Sequence, residues 1–144
     1  MDTPSSGLLL VAWTYEAYYD LKLQLSVGDV VRDYIVCCHG AMDQQRWQVS
    51  ERVHHLRLDG NLASKVCRHG RPAETSFMLL SHKSSRDADI SLIGIRIRTG
   101  RRHQIRIHSK HMGHPTVCDG KYPPPSLRLS RSLTTHGSPE RRTA

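Results

Sequence analysis

Apolar positions change period along this chain, and each change predicts an element. Residues 8–13 (Leu-Leu-Leu-Val-Ala-Trp) form its longest unbroken apolar run and, with Gly7, read as a buried strand. Thr14 then stands as an N-cap candidate, with Glu16 in the first turn where the helix dipole favours an acid. Ala17, Tyr18, Leu21 and Leu25 recur at helical spacing until Gly28. Residues 30–38 are β-rich and end at His39-Gly40; residues 47–58 hold further short strand candidates, closed by the turn signal Asp59-Gly60. Gly70-Arg71-Pro72 marks another turn. Residues 75–80 and 90–98 read as two strands joined by a polar loop over 81–89, and in the second Ile93, Ile95 and Ile97 alternate with Arg96 and Arg98. Thr99-Gly100 breaks that pattern, and residues 101–112 predict a short helix stopped by Gly113. This order of elements predicts an α+β fold, a mostly antiparallel sheet with a few helices.

After Tyr122 the periodicity is lost. Three prolines and then Ser, Arg, Thr and Gly suggest a disordered basic tail over 123–144, leaving one domain over 1–122. Charge adds a partner class. The chain of 144 residues carries 21 Lys and Arg against 13 acids, a net +8, and such an excess suits a polyanion. The excess is also localised: no acid lies between Asp89 and Asp119, a stretch holding Arg96, Arg98, Arg101, Arg102, Arg106 and Lys110. On a helix over 101–112, Arg102, Arg106 and Lys110 would share one face, which a phosphate backbone would neutralise. His103, His108, His111 and His114 lie in the same stretch, but without a companion carboxylate or thiol they predict no metal site. The four cysteines lack any Cys-x-x-Cys pair, so they read as reduced thiols of an intracellular protein; adjacent Cys37 and Cys38 would face opposite sides of a strand. No apolar run approaches the ~20 residues of a membrane helix, and residues 1–6 lack the basic region of a secretory signal.

One segment is far more specific than a charge run. Thr99-Gly100-Arg101-Arg102-His103-Gln104-Ile105-Arg106-Ile107-His108, followed by Gly113-His114-Pro115 and Cys118-Asp119-Gly120-Lys121-Tyr122, closely resembles the Thr-Gly-Arg-x-His-Gln-Ile-Arg-x-His … Gly-His-Pro-x-x-Gly-Asp-x-x-Tyr signature of the RluA-type pseudouridine synthases, with Cys118 where the family usually has Gly. Tyr34 to Gly40 looks like the family's Tyr-x-Ala-x-x-x-Gly strand, and Gly70 to Thr75 like its Gly-Lys-x-Ala-x-Thr turn. Asp2-Thr3-Pro4-Ser5-Ser6-Gly7-Leu8 matches the family's catalytic loop Asp-x-x-Thr-Ser-Gly-Leu, with Ser5 in place of Thr. The resemblance spans residues 2–122.

The resemblance implies the catalytic-domain fold of that family, in part, and the isomerisation of uridine to pseudouridine within ribosomal or transfer RNA, without cofactor or metal. It implies Asp2 as the catalytic carboxylate, Arg101 as its cationic partner and Tyr34 as the ring that stacks on the uracil. Arg102, His103, Gln104, Arg106, His108 and Lys110 are implied as pocket-shaping or RNA-binding residues, whereas Ile105 reads as core. In the family a His-Arg-Leu run precedes the catalytic Asp and assists base flipping; here Met1 takes the Leu position. The family also continues beyond the Tyr122 position with a strand-forming segment that 123–144 do not resemble. The expectation is therefore a catalytic domain incomplete at both ends, acting as an RNA-modifying isomerase or, alternatively, as a non-catalytic RNA-binding remnant of one.

Overall fold

A computed structural model describes residues 5–43, 45–58, 61–86 and 88–124. Among the described residues two helices and six strands run in the order α1 (Tyr15–Val27), β1 (Arg32–His39), β2 (Arg46–Val49), β3 (Val53–Leu58), β4 (Asn61–Val66), β5 (Thr75–Ser84), β6 (Asp89–Ile97) and α2 (Gln104–His111). Four strands form an antiparallel sheet in the order β1-β6-β5-β2, and β3 pairs with β4 in a separate two-stranded ribbon. The architecture is the α+β one the periodicity predicts.

The core lies on one face of the larger sheet. Ile93, Ile95 and Ile97 are buried with Cys38, Met42, Val49 and Phe77, and Tyr34, Val36, Trp47, Leu79 and Ile105 pack around them. Strand alternation produces this: Tyr34 pairs with Ile95 and Val36 with Ile93 in one register, and Phe77 with Ile95 in the other. Trp47 and Phe77, directly opposite across β2 and β5, stack with their rings 5.3 Å apart and nearly parallel. Cys37 is exposed and Cys38 buried, as their adjacency on a strand requires. Helix α2 packs on β4 and β5 and so ties the ribbon to the sheet.

Four expectations need correction. Residues 7–13 form no strand: Leu8 is fully exposed, and Leu9, Leu10, Val11 and Trp13 lie largely in solvent. An apolar run becomes a strand only where a neighbour supplies a hydrogen-bonded ladder, and none of the described strands offers it one. Strand β4 escaped the sequence reading, because Asn61 to Val66 mixes small, charged and apolar residues without a clean period. The supposed loop over 81–89 is mostly strand: β5 continues to Ser84 through a bulge between Leu79 and Ser81, and β6 begins at Asp89. Helix α2 starts at Gln104 rather than 101. His103 holds its N-cap position in the left-handed region at φ 56°, so Arg102 lies outside the helix and does not share a face with Arg106 and Lys110. The ends of α1 agree with their sequence signals: Thr14 Oγ1 accepts from the Ala17 N–H, and Gly28 closes the helix at φ 86°. The turn Asp59-Gly60 and the tail beyond 124 lie outside the described residues.

Candidate active site

A cleft of about 950 Å³ opens between the start of β1, the turn before α2 and the turn after it. Tyr34, Arg101, Arg102, His103, Gln104 and Arg106 line it, so the structure brings most of the sequence candidates to one place. Ser5 and Ser6 line it too, which carries the Ser-Ser-Gly end of the N-terminal loop to the same cavity. Asp2 lies outside the described residues. The ring of Tyr34 is half-buried, set on the core side of β1 but open to the cleft. No group of three His, Cys, Asp or Glu placed to hold a metal ion occurs among the described residues, and no helix there is long and apolar enough to cross a membrane.

The turn that presents Arg101 is held by one buried amide. Gln104 is 2% exposed. Its Oε1 accepts from the Arg101 backbone N–H (2.9 Å) and from the Thr99 hydroxyl (2.9 Å). Its Nε2 donates to the Glu74 carbonyl (2.9 Å) and to Thr75 Oγ1 (3.0 Å). All four hydrogen bonds a primary amide can form are made. Thr99 Oγ1 in turn accepts from the Glu74 N–H, so β5 and the turn are locked together. Arg101 Nε donates to the Pro72 carbonyl (2.9 Å), which aims the guanidinium across the cleft wall. Gln104 thus shapes the pocket, one of the two roles expected of it, and has no hydrogen-bonding capacity left for RNA.

His108 is held inward in the same way and cannot reach RNA. It is fully buried; Nε2 faces the Glu51 carbonyl at 2.9 Å and Nδ1 faces Thr75 Oγ1 at 2.9 Å. A nitrogen opposite a carbonyl must carry its proton. Burial pushes the imidazole below its ordinary value, so the neutral ring accepts at Nδ1. One directed chain results: Gln104 Nε2–H to Thr75 Oγ1, Thr75 O–H to His108 Nδ1, His108 Nε2–H to Glu51 O.

Arg106 is also turned inward, contrary to a phosphate-binding role. Its guanidinium grips Asp119 with two bonds of 2.6 Å and lies over the Tyr122 ring, 4.9 Å from its centroid. Burial pushes the Asp119 carboxyl up, but the bonds from Arg106, the Tyr122 N–H and the Thr116 hydroxyl outweigh it and hold it at about 2. His103 is nearly buried, with Nδ1 2.7 Å from the Tyr122 hydroxyl, which also accepts the Ser64 N–H. Lys110 lies 6.0 Å from the same ring. Of the residues read as RNA-binding, Arg102 alone is exposed on the cleft.

Cys118, where a Gly is usual in the resembled family, sits at φ 59° in the turn that brings Asp119 round to Arg106. Glycine adopts that conformation without strain and other residues do not, which explains the family's choice at this position. Arg32 is a cleft residue that sequence reading missed. Its Nη2 donates to the Arg98 carbonyl at 2.5 Å, and a Cβ on Gly100 would meet its Nη1 at 2.7 Å, so Arg32 braces the same turn from beneath. Its position two residues before Tyr34, on the same side of β1, was the available signal.

A family model described as RNA pseudouridylate synthase matches residues 1–111. The chain belongs to that family. It is 33% identical over 128 residues to ribosomal large subunit pseudouridine synthase C of Haemophilus influenzae, a match covering 85% of this chain and 37% of that protein. It is 34% identical over 124 residues to the RNA pseudouridine synthase YlyB of Bacillus subtilis, covering 86% of this chain and 39% of that one. The chain therefore spans about two fifths of the length of these relatives. Among solved structures, human RNA pseudouridylate synthase domain containing 1 superposes with a TM-score of 0.70 at 23% identity, over 83% of this chain and 51% of that one. The α+β sheet described above is thus the fold of a pseudouridylate synthase domain, and the cleft lies where its family motif converges.

Proposed function

We propose that this chain isomerises uridine to pseudouridine in RNA, ribosomal or transfer, with Asp2, Arg101 and Tyr34 as the working groups. The observation that carries the reading is the meeting of Tyr34, Arg101 and the Ser5–Ser6 end of the N-terminal loop in one cleft. The reaction breaks the N1–C1′ glycosidic bond and joins C5 to C1′; the C5 proton is lost and N1 gains one. It requires no redox partner. Asp2 supplies the carboxylate, as nucleophile at C1′ or as base on the ribose. Arg101 lowers the cost of keeping that carboxylate ionised once the base has displaced water. Tyr34 offers a face on which the flipped uracil stacks. Four unbridged cysteines fit an intracellular protein that meets such RNA.

Loss of the C5 proton makes the test direct. RNA carrying tritium at uridine C5 is incubated with the 144-residue chain and release of label to water is counted. The wild type is expected to release label and Asp2→Asn to release none while still binding RNA. Equal release by Asp2→Asn contradicts the assignment.

A further inference from the structure

Beside the β3–β4 ribbon, His55 lies among arginines of which Arg71 and Arg102 have no part in the chemistry above. His55 on β3 stands opposite Ser64 on β4. The Ser64 hydroxyl donates to the Arg102 carbonyl (2.9 Å) and lies 3.1 Å from His55 Nδ1. Its one proton being spent on the carbonyl, it accepts from Nδ1–H, so the imidazole titrates on Nε2. Arg71 reaches the same place from the turn before β5: its backbone N–H donates to the Val53 carbonyl (2.8 Å) and its carbonyl accepts the Val53 N–H (2.9 Å). That approach requires Gly70, where a Cβ would come within 2.5 Å of the Val53 carbonyl carbon.

Among the described residues no acid pairs with Arg71 or Arg102. Burial and the positive charges of Arg71, His54, Arg102 and Arg101 all hold His55 below its ordinary 6.5. These groups come from β3 itself, from the turn before β5 and from the turn before α2, with the neutral Ser64 facing from β4. Arg71 and Arg102 are exposed and form no ion pair among the described residues, whereas the neighbouring acids Asp119 and Glu74 are engaged by Arg106 and Arg98. Exposed guanidinium groups held near an imidazole by backbone contacts favour an anion with several acceptor oxygens.

We propose that His55, Arg71 and Arg102, beside Arg101, form a phosphate-binding site on the rim of the cleft, which takes a backbone phosphate of the RNA strand next to the target uridine. The identity of the anion as RNA rests on the function proposed above. With the imidazole neutral, Nε2 presents a lone pair to the anion; protonated, it donates. Phosphate binding therefore takes up a proton on His55, and RNA affinity rises as pH falls through the histidine range.

The test is anisotropy of a labelled single-stranded RNA titrated with the 144-residue chain, across a salt series at ~pH 6 and ~pH 8. Arg71→Gln is expected to weaken binding by about tenfold at low salt and to reduce the slope of log affinity against log salt by about one. Arg71→Lys keeps the charge and should restore the slope. His55→Gln is expected to remove most of the gain in affinity between ~pH 8 and ~pH 6. Unchanged affinity and slope in Arg71→Gln, with an unchanged pH dependence in His55→Gln, overturns the site. Inorganic phosphate that shifts the His55 ring resonances where RNA does not also overturns it, since the site would then take a free anion. Tritium release from the same samples separates the two readings. Wild-type RNA binding with Arg71 dependence but without release refutes the isomerase alone; release with Arg71-independent binding refutes the phosphate site alone.

Discussion

Helix α1 and helix α2 invert the usual relation between apolar content and burial. Tyr15–Val27 carries three leucines and three tyrosines, yet none of its residues is buried. Gln104–His111 is mostly polar, yet Gln104, Ile107, His108 and Ser109 are buried. The difference lies in partners. Gln104 and His108 of α2 meet matched donors or acceptors at Thr75 of β5, at Glu74 and Glu51 and in the turn before the helix, so their desolvation is compensated, whereas the buried Ser109 hydroxyl forms no such bond among the described residues. The apolar side chains of α1 find no complementary face among the described elements. Between these two helices burial follows complementarity rather than hydrophobicity, and the polar motif is largely the scaffold of the cleft.

The largest expected effect breaks the α2 side of this contrast. Asp119→Asn leaves Arg106 without its carboxylate in a site where the Asp119 side chain is 3% exposed, and should cost about 3 kcal/mol in denaturant unfolding. The same pair predicts an acid transition. The Asp119 carboxyl is held at about 2 against an ordinary 3.8, so its stabilisation is complete above the ordinary value and is lost as pH falls through about 2. By linkage it amounts to about 2 kcal/mol, and Asp119→Asn should abolish that part of the acid unfolding profile. Gln104→Ala comes next, at about 2 kcal/mol, because it strands the Arg101 N–H and the Glu74 carbonyl; thermal unfolding measures it. Leu23→Ala is the smallest. On α1, with a side chain 61% exposed, it should change stability by less than about 0.5 kcal/mol.

Much of this was legible in the sequence, and the failures share a cause. Thr14 and Gly28 marked the ends of α1 because capping is local chemistry. Ile93, Ile95 and Ile97 declared the core face of β6 because strand period is local too. Tyr34 and Arg101 were singled out through motifs that read across distant parts of the chain, and the fold brings both to one cleft. The direction of Gln104, Arg106 and His108 was not legible, since a polar residue points inward only when Thr75, Asp119 or Glu51 is there to receive it. Residues 8–13 misled for the complementary reason, an apolar run without a partner strand.

Arg101 tests the central claim most directly, because the whole α2 network converges on the turn that presents it. In the tritium-release assay Arg101→Ala is expected to lose at least about a hundredfold in rate, while RNA affinity falls only a few-fold and unfolding stability stays near that of the wild type. A rate within twofold of wild type would contradict the account.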